Sequence, residues 1–120
     1  MTLEEIQKWE KDFAKRQGVP QDYDAALKVA VLKLSEETGE VCRAILKEDW
    51  ENVQEECFDV ISFICKIANL MEKFHGAKKL GDVVREKIAI VEERGKIDPE
   101  THRAKKTAAE LVKNESEEGK

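Results

Sequence analysis

Apolar residues recur along the chain at the three- and four-residue spacing of amphipathic helices. Near the start, Ile6, Trp9 and Phe13 form a stripe at i, i+3 and i+7. This stripe predicts a first helix over residues 2–17, with Thr2 as its N-cap. A glycine and a proline then interrupt the pattern, so the helix is expected to end there.

Three further helices are predicted from the same spacing, over about residues 24–47, 50–75 and 79–94. The segment 50–75 is the most apolar of them, and its apolar residues cover a wide arc. A helix of this kind is central and contacts several others. Asp49 is the predicted N-cap of that helix and Gly76 its C-cap. The fold class is therefore all-α, with a four-helix core in each chain.

The composition places limits on how this core is built. With 120 residues, the chain has the size of one domain, predicted over residues 1–98, followed by a short peripheral helix and a frayed polar tail over 99–120. Charged residues make up 39% of the chain and apolar residues 41%. Because that charge is high for a compact monomer, we expect oligomerisation to complete the helical bundle.

The charge and the cysteines exclude several classes of protein. A net charge of −5 argues against a nucleic-acid binder, which normally carries a basic stripe. The longest apolar run contains Lys66 and is too short to span a bilayer, and the opening residues do not resemble a signal peptide. Three cysteines without a CxxC pair are typical of reduced core thiols, so a cytoplasmic location is expected.

Two clusters of acidic residues stand out, "LSEETGEV" at residues 34–41 and "EECFDV" at 55–60. At about 100° per residue, Glu37 falls inside the apolar arc of its helix and Glu40 on its border, whereas Glu36 lies on the outer side. In the second cluster Glu56 and Asp59 lie beside apolar residues, and the neighbouring Glu55 faces outward. Each helix thus carries one acidic pair at i, i+3 in or beside a packing face.

A short turn makes the two helices antiparallel neighbours and places these pairs at one level. Glu40 then lies level with Glu56, and Glu37 with Asp59. Four carboxylates in a partly apolar groove need cations, and ligands that offer only oxygen select Mg²⁺ or Mn²⁺. Magnesium commonly bridges to phosphates, which points to phosphoryl or pyrophosphate chemistry. The alternative is that these are ordinary surface charges neutralised by neighbours such as Lys33, Arg43 and Lys47.

The two motifs together resemble a known family. "LSEETGEV" followed by "EECFDVISFI" is similar to the ExxE…ExxD signature of the all-α, MazG-like nucleoside triphosphate pyrophosphohydrolases, with Glu37, Glu40, Glu56 and Asp59 in the four positions. The opening "LEEIQKWEKDFAKRQG" resembles the first helix of small members. The resemblance covers about residues 2–95.

This resemblance implies an activity and an assembly. The chain would be a Mg²⁺-dependent hydrolase that cleaves a nucleoside triphosphate between its α- and β-phosphates, giving the monophosphate and pyrophosphate and cleaning the nucleotide pool. The four acids would be the metal ligands and the catalytic residues. Family members are dimers, or dimers of dimers, so a homodimer or tetramer is implied.

The resemblance also implies positions that bind the substrate. Small members carry a later Lys, Asn, Arg pattern that contacts the nucleotide; Lys87 and Arg94 match it, but Val91 stands in place of the asparagine. Lys87 and Arg94 are nevertheless the best phosphate-binding candidates. Weaker candidates are Lys33, Arg43 and Trp50. Trp50, like Trp9, either stacks on a base or anchors the fold.

Two other functions stay open on the sequence alone. One is a non-catalytic helical interaction or regulatory protein that keeps the MazG-like fold, a possibility favoured by Val91. The other is a metal-dependent phosphohydrolase that acts on a pyrophosphate other than a nucleotide. The base and sugar preferences have no local motif, so the sequence does not predict them.

Overall fold

The structure, a computed structural model, describes residues 1–18 and 22–95 of the chain. These ranges contain four α-helices and no strand, which confirms the all-α class. The helices are α1 (Leu3–Arg16), α2 (Tyr23–Leu46), α3 (Trp50–His75) and α4 (Leu80–Arg94). Each predicted boundary agrees with the observed one to within one residue. The helix and frayed tail predicted over residues 99–120 lie outside the described residues.

The predicted caps are confirmed. Thr2 is extended, its Oγ1 accepts a hydrogen bond from the Glu5 N–H at 3.1 Å, and the Glu5 side chain accepts one from the Thr2 N–H at 3.2 Å. Two donors that the first helical turn leaves without partners are thus satisfied. At the end of α3, Gly76 adopts the left-handed conformation with φ 60°, which glycine reaches without steric penalty.

A three-residue turn makes α2 and α3 an antiparallel hairpin. In it Glu48 has a φ of 57°, and the Asp49 carboxylate accepts a hydrogen bond from the Asn52 N–H at 3.4 Å to cap α3. The opposite end of the hairpin is also held, because the Tyr23 hydroxyl shares a 2.6 Å hydrogen bond with His75 Nε2. Both ends of the hairpin therefore carry contacts that fix its register.

Among the described residues, the buried apolar ones are small. Ala26, Ala30 and Ala44 of α2 and Cys65 of α3 are buried. Short side chains at these positions let the two helices approach closely. Helix α3 packs against both α1 and α2, so its predicted central position is confirmed.

Helix α1 is joined to α3 by buried polar residues, which the apolar stripe of α1 does not predict. Gln7, Glu10 and Asn69 are all buried. Asn69 Nδ2 donates to Glu10 Oε2 at 2.8 Å and to the Gln7 carbonyl at 3.1 Å. Gln7 Nε2 donates to Asn69 Oδ1 at 2.9 Å and to Glu72 Oε2 at 2.8 Å. We call Gln7, Glu10, Asn69 and Glu72 the polar seam.

Several apolar residues of α2 and α3 are exposed. Val31, Ile45, Ile61 and Ile64 keep between 42% and 50% of their surface exposed. The described part of a single chain therefore does not cover them. Further exposed apolar side chains on α2 and α3 are Val29, Leu32, Leu46, Phe58 and Phe74.

The chain divides into two compact units, Met1–Lys79 and a second one that begins at Leu80. The first contains α1, α2 and α3, and the described part of the second contains α4. Among the described helices, none combines the length and the apolar character that crossing a bilayer would require.

Candidate functional site

Three carboxylates converge where the second half of α2 lies beside the first half of α3. One oxygen from each of Glu37, Glu56 and Asp59 lies within 4.8 Å of the others, and all three side chains are half-buried. Glu37 comes from α2 and the other two come from α3, so the hairpin turn brings them together. We call these three residues the acidic cluster. The helical phase predicted that these three residues and Glu40 lie together, and the structure brings Glu37, Glu56 and Asp59 together.

Within the acidic cluster, Glu56 is the most perturbed member. Its Oε2 is buried and has no hydrogen-bond partner. The pKa of Glu56 is raised from 4.5 to about 7, first by a hydrogen bond with Glu37 and then by burial. The negative charges of Glu37, Asp59 and Glu40 raise that pKa further. Without a cation, this carboxyl therefore holds a proton up to near neutral pH.

Glu40, the fourth predicted ligand, is not part of the acidic cluster. Its Oε1 accepts a hydrogen bond from Arg43 Nη2, three residues further along α2. This hydrogen bond lowers the pKa of Glu40, and it raises the pKa of Arg43. Glu40 is still close enough for its charge to raise the pKa of Glu56. Of the four predicted carboxylates, three thus converge and the fourth is paired with an arginine.

The outward-facing acid of the first motif behaves as a surface charge. Glu36 is exposed, and its carboxylate accepts a hydrogen bond from Lys33 Nζ at 3.3 Å. The alternative explanation for the acidic motifs is that neighbouring cations neutralise them. This explanation applies to Glu36 and Glu40. For the three members of the acidic cluster, the described residues show no salt bridge to Lys or Arg.

The two tryptophans have different environments. Trp9 is half-buried, stacks on Phe13 with ring centroids 5.2 Å apart, and lies 5.7 Å from the ring of Phe58. It therefore anchors α1 to α3. Trp50, the first residue of α3, keeps 61% of its surface exposed.

The predicted phosphate-binding residues of α4 lie in the second compact unit. Lys87 is exposed, Arg94 is half-buried, and Val91 keeps 57% of its surface exposed. Substrate binding by Lys87 and Arg94 stays a prediction. The same holds for Lys33, Arg43 and Trp50.

The chemistry of the acidic cluster favours a hard divalent cation. Ionised carboxylates offer only acceptor oxygens, so three of them side by side repel one another and cannot satisfy one another by hydrogen bonding. A cation that takes oxygen ligands removes the repulsion and gives the buried Glu56 Oε2 a partner. The residues present fit such an ion.

Comparison with known families agrees with this site. The model of the MazG nucleotide pyrophosphohydrolase domain matches residues 26–97, more than half of the chain. The chain belongs to the MazG family. The MazG match includes both acidic motifs and all of α4, whereas α1 lies before it. No curated protein and no solved structure matches the chain.

The polar seam is the main feature that the sequence did not predict. Its one local signal is Asn69, an amide between Ala68 and Leu70 in the most apolar helix of this MazG protein. A buried amide needs partners. The identity of those partners depends on residues of α1 about sixty positions earlier in the chain, and no local pattern contains that information.

Proposed function

We propose that the protein is a Mg²⁺-dependent nucleoside triphosphate pyrophosphohydrolase that releases a nucleoside monophosphate and pyrophosphate. The observation that carries the proposal is the acidic cluster, in which Glu56 Oε2 is buried without a hydrogen-bond partner. Membership of the MazG family supports a nucleotide substrate. Mn²⁺, which takes the same oxygen ligands, is the alternative cation.

In this mechanism Glu37, Glu56 and Asp59 hold the cation. Magnesium, when bound, neutralises the charge that develops on the phosphate oxygens during hydrolysis. Water adds to the α-phosphorus and loses a proton to the solvent. The bond from that phosphorus to the bridging oxygen breaks, and its electron pair leaves with pyrophosphate. The half-buried carboxylates position the reacting groups, and charges act more strongly there than in bulk water.

Glu40 and Arg43 have a further part in the proposal. The lowered pKa of Glu40 keeps this carboxylate ionised at neutral pH. If Arg43 turns from Glu40 toward a phosphate oxygen, Glu40 becomes free to join the acidic cluster as the fourth ligand. Lys87 and Arg94 remain the other proposed phosphate contacts, with Lys33 and Trp50 as weaker ones.

The test is pyrophosphate release from a panel of canonical and modified nucleoside triphosphates with Mg²⁺. We expect release from at least one of them, and a loss of about a hundredfold or more in Glu56→Gln, because the buried ligand oxygen loses its charge. The matched control is Glu55→Gln, which changes an exposed neighbour on the same helix and is expected to keep full activity. Release of orthophosphate alone, or equal activity in the two variants, would contradict the proposal.

Self-association is a second part of the proposal. Large apolar residues of α2 and α3 are exposed, among them Leu32 at 70% and Ile64 at 42%. Exposed apolar patches mark protein–protein contacts. We propose that a homodimer or tetramer covers them. Sedimentation analysis of the full chain at micromolar concentration tests this, and a monomer under those conditions would contradict it.

A second candidate function is a non-catalytic helical interaction protein. The observation that favours it is Val91, which replaces the asparagine implied by the family resemblance with an exposed apolar side chain. The nucleotide panel separates the two, since this candidate predicts Mg²⁺ binding without pyrophosphate release from any triphosphate. Release from a pyrophosphate ester other than a nucleotide would indicate the third possibility.

A further inference from the structure

A cavity of about 540 Å³ lies in the first compact unit, between the second half of α1, the start of α2 and the second half of α3. Its volume is in the range of small-molecule sites. Lys66, the first residue of α3 that lines it, lies about 10 Å along the helix axis from Asp59 at about 1.5 Å per residue. The cavity is therefore distinct from the acidic cluster.

The charge of this cavity is opposite to that of the chain. Its walls carry five lysines and two glutamates, an excess of three positive charges in a protein whose net charge is −5. We call it the lysine cavity. The lysines are Lys11, Lys15, Lys66, Lys73 and Lys79.

The two glutamates of the lysine cavity are already engaged in the polar seam. Glu10 accepts a hydrogen bond from Asn69, and Glu72 accepts one from Gln7. Among the described residues, no salt bridge involves Lys11, Lys15, Lys66 or Lys79. Their ammonium groups thus keep their hydrogen-bond donors available for an anion.

The remaining walls are mostly apolar and partly rigid. Leu70, Phe74 and Ala77 line one part of the lysine cavity, and the buried Asn69 and Ala26 line another. The ring of Phe74 is held by Tyr23, with centroids 4.9 Å apart. An anion that also has an apolar or aromatic body fits both kinds of wall.

We propose that the lysine cavity binds a small organic compound that carries two or more phosphate groups. Lysine binds phosphate as a point charge, and several ammonium groups around one cavity suit a multiply charged ligand. The apolar wall with Phe74 takes the organic part of the ligand. This proposal does not depend on the hydrolase activity, since neither Mg²⁺ nor the acidic cluster takes part in it.

The test is a titration of the full chain, isotopically labelled, with ADP in excess EDTA, followed by NMR at the backbone amides of Asn69 and Ala77. Removing divalent cations separates this site from the one proposed for hydrolysis. We expect saturable shifts at both amides, and weaker binding of pyrophosphate, which lacks an organic part. Absence of saturation, or pyrophosphate binding as tight as that of ADP, would overturn the proposal.

Two pairs of variants sharpen the test. Lys15→Gln with Lys66→Gln removes two charges from the lysine cavity, and we expect ADP to bind about tenfold more weakly. Lys28→Gln with Lys47→Gln removes two exposed charges elsewhere on α2 and at its end, and less than a twofold effect is expected. Equal losses in the two pairs would show a diffuse attraction to surface charge and overturn the proposal. Glu56→Gln is expected to leave ADP binding in EDTA unchanged, and a loss there would overturn the separation of the two sites.

Discussion

The two halves of α3 bury polar groups in opposite ways. In the first half, Glu56 and Asp59 meet Glu37, and every group in the acidic cluster is an acceptor when ionised. In the second half, Asn69 donates to the Glu10 carboxylate and the Gln7 carbonyl. Gln7 in turn donates to the Glu72 carboxylate and to Asn69 Oδ1. The polar seam is therefore complete without a ligand, whereas the acidic cluster needs a proton or a cation. This difference supports the proposal that the acidic cluster binds a cation, whereas the polar seam is a structural contact.

Removing the amide of the polar seam is expected to have the largest effect on stability. Asn69→Leu leaves the buried Glu10 carboxylate and the Gln7 carbonyl without the donor that satisfies them, so the free energy of unfolding should fall by about 2–4 kcal/mol. Urea denaturation measures this change. The control is Gln54→Leu at an exposed position of α3, and a similar loss there would remove the distinction between the two halves.

Magnesium is expected to stabilise the protein through the first half of α3. At ten times its Kd the ion should add about 1.4 kcal/mol to the free energy of unfolding, because it binds the folded state only. Thermal unfolding with and without Mg²⁺ measures this. Glu37→Gln should abolish this increase in stability. Asn69→Leu should keep the increase, although its free energy of unfolding is lower both with and without Mg²⁺. Retention of the full gain in Glu37→Gln would contradict the assignment of the acidic cluster.

A smaller effect is expected from the arginine beside the acidic cluster. Arg43→Gln removes a positive charge and releases Glu40, so Mg²⁺ should bind about two- to fivefold more tightly. Calorimetric titration of the metal-free protein measures the change, and Lys28→Gln is the control for a lost charge on the same helix. Weaker Mg²⁺ binding in Arg43→Gln would show that Glu40 does not join the acidic cluster.

A pH dependence carried by one carboxyl is also expected. Because the folded-state pKa of Glu56 is raised from 4.5 to about 7, the folded chain holds a proton that the unfolded chain has released. The stabilisation that protonated Glu56 contributes to the folded state is present below pH 4.5 and is lost as the pH rises toward 7. Metal-free protein should therefore become less stable between pH 5 and 7.5, as measured by chemical denaturation. Glu56→Gln should have a flatter profile, and identical profiles would contradict the assignment.

The features that the sequence predicted are those that depend on local pattern. Helix boundaries follow from caps such as Thr2 and Gly76, which act within one turn. The acidic cluster follows from helical phase and one short turn, and both can be read over about twenty-five residues. Helical phase predicted that Glu40 lies on the border of the apolar arc. Its pairing with Arg43 depends on the conformations of the two side chains, which residue spacing does not determine.

The polar seam and the lysine cavity depend on which residues of α1 meet the second half of α3. The stripe of Ile6, Trp9 and Phe13 predicts that α1 packs, but it gives neither the partner helix nor the register. The buried positions of α1 are Gln7 and Glu10, beside that stripe, because Asn69 on α3 receives them. Contacts between residues so distant in the chain are a property of the assembled fold.

The three-residue turn between α2 and α3 also has a consequence for the order of folding. Closing so short a loop loses little chain entropy, whereas docking α1 on α3 joins residues 62 positions apart. We therefore expect the hairpin to form in the folding transition state and the docking of α1 to follow it. In stopped-flow experiments Asn69→Leu would then accelerate unfolding with little effect on the refolding rate. The carboxylates of the acidic cluster would meet early, so magnesium would speed refolding as well as stabilise the product.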